Sequence, residues 1–489
     1  MPTYDLNIKI GFVPSYRGEW GTIPPWCVQM RAEALDVFSK MAGMEVVVPQ
    51  PCAEDNQVVD PERGYSPDGA VGNLDQGEAV AEYFSRQKVD GLIICALNFG
   101  DERSAAKIAE KLGVPVLLYA TKEPPAFEDP GQGRVSDSYC GTLSIASALF
   151  RRKIPFHYAG IFFHNQPAFL EEVEIFLRAV SVVKGLRGAR IGQVGVRPTN
   201  FETVGYDEAA MIRKFGQNVI YTEVSDLVLH AQRFADDDPA VLVKIDAIRG
   251  EVAQVTVANE YLLKAAKMEL AVADFYDRNR LSALAMQCWP NIQSLWGFST
   301  CALFGRLTGQ GILTACEVDI LGALAMLVSY RASLGQTVPH FIDWTIQHRL
   351  KDNQFLAWHC GNAPACLADD PARTALRSRR DMQGVLPVDP NDSMAGLYQF
   401  QIRSGIVTFC RLQEYDNEWK MLITTGEIIP SDEVLAGTWA WVEVADHRKL
   451  YRTLVEEGFI HHASMIHGDQ TAALLEACKF LDIRPVVVG

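Results

Sequence analysis

Two tandem Rossmann-like α/β/α domains followed by a β-rich C-terminal domain, an α/β chain overall, is the architecture this sequence predicts. Three observations predict it. At 489 residues the chain is too long for one ordinary core, so two to four domains are expected. Its first two-thirds alternate short apolar runs with helical segments, the texture of parallel sheets covered by helices. After about residue 340 the helical segments give way to longer strand-like runs, the texture of an antiparallel sheet.

The elements follow in order. Ile8 to Val13 predicts a strand, Trp26 to Met41 a helix and Met44 to Val48 a strand. Glu78 to Gln87 is helical, Gly91 to Ala96 a buried strand, Glu102 to Leu112 helical and Pro115 to Tyr119 a strand. A helix over Ser136 to Arg152 closes the first domain, 1–155, and Tyr158-Ala159-Gly160-Ile161-Phe162 opens a second, 156–337. There the pattern predicts a helix over Ala168 to Val183, strands at Arg190 to Gly195 and Val219 to Thr222, and helix through Val252 to Arg278. Strands at Leu284 to Cys288 and Ile312 to Cys316 follow, then an apolar helix over Ile320 to Arg331. Glu317 and Asp319 thus sit at a strand's carboxyl end, where open α/β sheets place their ligands. In the third domain, 338–489, Gln399 to Leu412 and Trp419 to Thr425 predict a β-hairpin turning at Glu414 to Glu418. Trp439 to Val444 adds a strand, Gln470 to Val488 a helix and strand, and the Arg-, Pro- and Asp-rich stretch Asp369 to Asp392 is expected to be loop.

Composition excludes several classes. A net charge of -15 is unsuited to a nucleic-acid backbone, which needs a clustered basic surface. A mean hydropathy of +0.01, with no apolar stretch near the roughly 18 residues of a membrane span, describes a soluble chain. The opening residues lack a basic segment followed by an apolar one, so a cytoplasmic location is expected. Eleven cysteines, an odd number scattered through apolar runs, read as buried thiols in a reducing compartment. The glycines of Gly305 to Gly311 lie between helix and strand, the wrong context for a dinucleotide loop, and no Gly-x-Ser-x-Gly elbow is present. Cys360 and Cys366 have no second pair at zinc-ribbon spacing.

What remains is a set of charged or imidazole residues in apolar surroundings: Glu317, Asp343, His359, and the cluster His461, His462 and His467. Such groups are costly to bury without a cation, a proton or several hydrogen-bond donors. Oxygen-dominated ligation with one imidazole suits Mn²⁺ or Mg²⁺ better than thiolate-seeking metals. Each residue taken singly has an ordinary structural use as cap, ion pair or surface group. Adjacent residues on a strand face opposite ways, so only one of His461 and His462 is expected at a given centre.

Cys288-Trp289-Pro290, Ala315-Cys316-Glu317-Val318-Asp319, Phe341-Ile342-Asp343-Trp344, Trp358-His359-Cys360-Gly361-Asn362 and His461-His462 through Gly468-Asp469 occur in an order that resembles the L-fucose isomerase family, relatives of the L-arabinose isomerases. The resemblance runs along nearly the whole chain. It implies an aldose–ketose isomerase with Glu317, Asp343 and His462 as metal ligands, His461 being set aside. It further implies Mn²⁺ as cofactor, with Mg²⁺ or Co²⁺ as alternatives, and Glu317 and Asp343 as the acid/base pair working through a cis-enediol. His359 is left between ligand and substrate contact, and Asp319 is expected to orient a ligand or a sugar hydroxyl. Asn362 is a further candidate sugar contact; Trp289, Trp344 and Trp358 could cover a sugar's apolar face, though core packing is the commoner fate of such residues. Tyr16-Arg17-Gly18-Glu19-Trp20 resembles the segment through which a neighbouring subunit reaches the sugar, and reads equally as an ordinary βα loop. A homo-oligomer, a hexamer or similar, is implied, with a small-molecule sugar as the only other partner.

The sugar stays open among a pentose, a 6-deoxyhexose and a hexose with an anionic C6 group such as the sulfonate of sulfoquinovose. The last requires a cation, which Arg17, Arg377, Arg379 or Arg380 would supply. A non-catalytic sugar-binding protein is the rival of another class.

Overall fold

The computed structural model describes residues 5–17, 25–49, 69–123, 136–382 and 392–489. These form two compact units, one of residues 5–184 with 475–482, the other of 185–474 with 483–489.

The first unit is built on five parallel strands: β1 (Ile8–Ser15), β2 (Met44–Val47), β3 (Gly91–Ala96), β4 (Val116–Thr121) and β5 (His157–Phe162), in the order β2-β1-β3-β4-β5. All six residues of β3 are buried, which explains a continuous apolar run where a half-exposed strand would alternate. Asn73 and Asp101 start the helices Leu74–Gln87 and Glu102–Leu112 by accepting the backbone N–H of Gln76 and Ser104. The segment 157–162, expected to open a second domain, instead completes this sheet by pairing with β4. Local pattern could not decide this, because an edge strand of one parallel sheet and the first strand of the next read alike.

The second unit combines two sheets. Strands β6 (Arg190–Val194) and β7 (Asn218–Thr222) pair in parallel; β8 (Gln254–Val255) belongs elsewhere; β9 (Ala283–Met286) and β10 (Thr314–Cys316) complete a parallel sheet in the order β10-β9-β6-β7. The remaining strands are β11 (His340–Gln347), β12 (Gln354–His359), β13 (Ala375–Ser378), β14 (Ala395–Gln401), β15 (Gly405–Tyr415), β16 (Glu418–Ile429), β17 (Thr438–Glu443), β18 (His462–His467) and β19 (Arg484–Val488). They form a ten-stranded sheet with β8, in the order β19-β16-β15-β18-β11-β12-β17-β14-β13-β8. β16 also pairs with β17, which closes β16, β15, β18, β11, β12 and β17 into a barrel.

Three expectations change here. Val252 to Arg278 is not all helix: Gln254 and Val255 pair with β13 before the helix Asn259–Arg278 begins. Asp369 to Asp392 is not all loop, since Ala375 and Leu376 are buried as part of β13; the tip of that stretch lies outside the described residues. The predicted strand Gln399 to Leu412 breaks into β14 and β15, and the hairpin from β15 to β16 turns on Asp416 and Asn417, both at positive φ. All ten cysteines among the described residues are free, as expected for a thiol-bearing chain.

Candidate active site

The site begins at the end of β10. Glu317 and Val318 turn left-handed, with φ of +59° and +61°, before the helix Ile320–Ala332 starts. A β-branched residue there is strained, by about 1–3 kcal/mol. The turn carries the Glu317 carboxylate beyond the sheet's carboxyl end. Asp319 caps the helix, its Oδ1 accepting the Gly322 N–H at 2.8 Å. A side chain at Gly322 would meet Asp319 Oδ2 at 2.5 Å and Phe341 Cε2 at 2.6 Å, so only glycine lets the carboxylate and the ring close in.

The barrel supplies the other groups. β11 and β18 pair so that Asp343 lies directly opposite His462, close enough for side chains to interact. His462 Nε2 is 3.0 Å from Glu317 Oε2 and 3.6 Å from Asp343 Oδ1. His359, at the end of β12, brings its Nε2 to 4.0 Å from Asp343 Oδ1. Two carboxylates and two imidazoles from three strands and one turn therefore converge.

A second layer fixes this arrangement. His462 Nδ1 donates to Asp319 Oδ2 at 2.9 Å, and Arg411 of β15 donates to both Asp319 oxygens, at 2.5 and 3.1 Å. Asp319, His462 and Arg411 are fully or almost fully buried. Trp289 Nε1 donates to Glu317 Oε1 at 3.0 Å. Burial alone would raise the Glu317 carboxyl, but the His462 hydrogen bond and charge, with His359 and the Trp289 indole, hold it at about 2. Asp319 is held lower still, Arg411 and His462 outweighing its burial. Burial would lower both imidazoles; Asp319 and Glu317 raise His462 to about 9, and Asp343 with Cys360 raises His359 to about 9.

Donor atoms of Asp343, His359 and His462 lie within 4.8 Å of one another, as do those of Glu317, His461 and His462. Asp343 Oδ1 and His359 Nε2 are buried without a hydrogen-bond partner, and buried polar atoms are rarely left so. His462 Nδ1 is committed to Asp319, which leaves Nε2 as the ligating nitrogen, the arrangement in which a carboxylate orients a metal-bound histidine. Carboxylate oxygens plus imidazole nitrogens, with no thiolate needed, match the donor preferences of Mn²⁺. The residues present thus fit a divalent ion.

Beside them opens a cavity of about 270 Å³, on whose wall lie Trp289, Thr300, Glu317, His359, Cys360 and Arg379. Large enough for an open-chain sugar, it is walled on one side by Cys288, Cys301 and Cys316.

Several expected contacts sit elsewhere. Asn362 is a core residue: its Oδ1 pairs with buried His340 Nε2 at 3.1 Å, and it does not line the cavity. Trp344 packs in tilted contact with Phe355 and Phe409, at 5.0 and 4.9 Å, on the face of β11 opposite Asp343. Trp358 packs with Leu356, Trp439 and Trp441. Asp319 is too buried to meet a sugar and acts through His462. Arg17, in the first unit, donates its N–H to Asn98 Oδ1 at 2.9 Å and holds Glu102 at 3.4 Å, its guanidinium 4.0 Å from the Phe99 ring centroid. Gly18, Glu19 and Trp20 lie outside the described residues.

His461, set aside on strand alternation, returns as a neighbour. It precedes β18 and so escapes the alternation, its ring centroid 4.1 Å from that of His462. Arg411 was missed, although a charge inside the apolar run Val407 to Leu412 is the same signal that marked Glu317.

Comparison with known proteins supplies the family. Residues 42–187 match the family described as fucose/sulfoquinovose isomerase, N-terminal domain, and residues 357–488 match L-fucose isomerase, C-terminal domain. A sulfoquinovose isomerase of Alkalicoccus urumqiensis is 25% identical over 402 residues, 81% of this chain and 86% of that one. One of Priestia aryabhattai is 23% identical over 425 residues, 86% of this chain and 91% of that one. A third, from a Clostridium species, is 25% identical over 402 residues, again 81% and 86%. With family matches near both ends and relatives aligned along most of its length, the chain belongs to the fucose isomerase family and is an aldose–ketose isomerase.

Proposed function

We propose that this chain isomerises a C6-sulfonated aldohexose such as sulfoquinovose to the ketose, using Mn²⁺ or a similar divalent ion. One observation carries the chemistry: Glu317, Asp343, His462 and His359 converge, Glu317 and His359 on the wall of one cavity, with Asp343 Oδ1 and His359 Nε2 buried and unpartnered. The names of the relatives supply the sugar.

Glu317, Asp343 and His462 would hold the ion, with His359 beside them. A divalent ion bound there supplies Lewis-acid polarisation of the sugar's oxygens. The chain's own residues do the rest. Glu317 is ionised at neutral pH, as a proton acceptor must be. One of the Glu317–Asp343 pair accepts the proton leaving C2 and returns a proton to C1, through a cis-enediol, while the other carries the O2 proton to O1, so that the C1 carbonyl becomes a hydroxyl and the O2 hydroxyl the carbonyl. Asp319, clamped by Arg411, fixes the His462 ring. Trp289 fixes the Glu317 carboxylate and lines the cavity.

The test is a panel of aldoses with Mn²⁺ in D₂O. Sulfoquinovose is expected to give its ketose with deuterium at C1, and complete retention of substrate hydrogen would overturn the enediol. Full activity in Glu317→Gln would remove that residue from the mechanism. The family resemblance also leads us to propose a homo-oligomer, a hexamer or similar, in the cytoplasm, which sedimentation and fractionation check. No helix among the described residues is long and apolar enough to cross a membrane.

A further inference from the structure

Of the arginines that could meet an anionic substituent, three lie close together in the chain after β12, and only one of these lines the reaction cavity. Arg377 donates Nη1 to Gln399 Oε1 at 2.7 Å, and Arg380 Nε stands 3.4 Å from Asp392 Oδ1. Arg379 shares the cavity wall with Glu317 and His359. Its backbone N–H donates to Met394 O at 3.1 Å, which anchors it, and its Nη2 lies 2.9 Å from Cys360 Sγ. No carboxylate pairs with it among the described residues. Where Arg306 and Arg411 of the same unit each meet a carboxylate, Arg379 meets a thiol.

A second observation points to the same wall. Thr300 precedes the nine-residue helix Cys301–Gly309 and makes no side-chain cap hydrogen bond. The residue is fully buried, and its Oγ1 has no hydrogen-bond partner. Ser299, Thr300 and Cys301 all line the cavity, so the positive end of this helix and an unsatisfied hydroxyl open onto it. A neutral sugar offers such a wall hydroxyls but no charge to answer the guanidinium. A sulfonate carries a fixed negative charge and three acceptor oxygens, enough for a guanidinium fork and a hydroxyl together.

We infer that Arg379 and the Thr300 end of this helix form the subsite that selects an anionic group at the far end of the open-chain sugar. This inference deepens the isomerase reading above and rests on it for the sugar. It makes Arg379 a specificity determinant, separate from the proton-transfer pair.

The experiment uses two non-isomerisable probes, the alditol of the sulfonated hexose and neutral sorbitol, titrated calorimetrically into wild type, Arg379→Gln, Arg379→Lys and Thr300→Val. Wild type should prefer the sulfonated alditol by about 50-fold, the size of one charge-assisted contact. Arg379→Gln should collapse that preference, Arg379→Lys should restore part of it, and Thr300→Val should reduce it. In turnover, the ratio of kcat/KM for sulfoquinovose over its desulfonated counterpart should fall likewise in Arg379→Gln, through KM. A wild type without preference, or an Arg379→Gln variant that keeps it, overturns the subsite. Equal losses on both sugars would overturn it too, placing Arg379 with the His359–Cys360 pair. If the alditol preference holds while wild type converts no aldose, the isomerase reading falls and the anion subsite stands.

Discussion

Glu269 and Glu317 are both glutamates buried among cations in the same unit, one within a helix, the other on a turn at the end of a parallel strand. Glu269 accepts from Arg306 Nε at 2.7 Å, Lys244 Nζ at 2.6 Å and Gln310 Nε2 at 2.8 Å. Arg306 also pairs with Glu251, which accepts from Tyr398 at 2.9 Å. Two carboxylates meet two cations, and none of these groups has a buried atom without a partner. Around Glu317 the balance is different. Glu317, Asp319 and Asp343 face one permanent cation, Arg411, and two imidazoles, and two buried donor atoms converge without partners. A completed ionic cluster holds helices together; an incomplete one whose loose atoms point at each other is built to receive something.

The largest effects should separate the two clusters cleanly. Asp343→Asn is expected to lower kcat by about 10³-fold, the scale of a lost acid/base group. Its denaturation midpoint should stay the same or rise, because a carboxylate is removed from among others. Glu269→Ala should do the reverse. It leaves Arg306 and Lys244 buried without their anion, at a cost of about 3–5 kcal/mol, while the folded enzyme keeps its turnover. Denaturant titration and steady-state kinetics on both variants decide. If Asp343→Asn unfolds the protein and Glu269→Ala silences it, the assignment of roles is backwards.

An intermediate effect is expected where the two kinds of cluster meet, at Asp319. It is completed by Arg411 like a structural carboxylate, yet it touches His462 like a part of the site. Asp319→Asn should weaken Mn²⁺ binding by about 10–100-fold, as lost orienting carboxylates do, read by calorimetry. Gly322→Ala pushes on the same carboxylate without changing its charge, since the new methyl would meet Asp319 Oδ2. It should weaken binding in the same direction and by less. Unchanged affinity in both would mean that His462 needs no orienting partner.

How far the sequence carries this comparison depends on the range of the interactions. Glu317 was legible because a short apolar strand, an acidic turn and an apolar helix are contiguous. Asp343 and His462 were legible as anomalies, but their direct pairing across β11 and β18 joins positions far apart in the chain, which no local pattern encodes. Barrel closure through β16 and β17 is equally non-local, and so was the placement of His157–Phe162 in the first sheet. Asn362 was misjudged, and Trp344 takes the core place that was the alternative to a sugar contact, for a related reason. A residue beside a functional one on a strand faces away from it, and a polar residue near a site can be occupied by a buried neighbour such as His340. The Glu269 cluster escaped notice because Lys244, Glu269 and Arg306 lie on three helices where charges look solvated.

The smallest predicted effect tests the completed cluster from within, through the two carboxylates that share Arg306. Burial raises the carboxyl of Glu251 above its ordinary value near 4.5, outweighing Arg306 and Tyr398. At Glu269 burial is outweighed by Arg306 and Lys244, and the carboxyl is lowered below 4.5. The signs of their linkage to folding are therefore opposite. A lowered carboxyl contributes stability that is present above its unfolded value and is lost as pH falls through the folded one. A raised carboxyl burdens the fold above its folded value, and the burden lifts as pH falls through that value. Urea titrations between about pH 3 and 7, comparing wild type with Glu251→Gln and Glu269→Gln, should show this. Relative to Glu251→Gln, wild type gains stability as pH approaches 4.5 from above. Relative to Glu269→Gln, it loses stability as pH falls below 4.5. Slopes of one sign for both would mean that the two carboxylates titrate as a single surface pair, and the contrast with Glu317 would then rest on geometry alone.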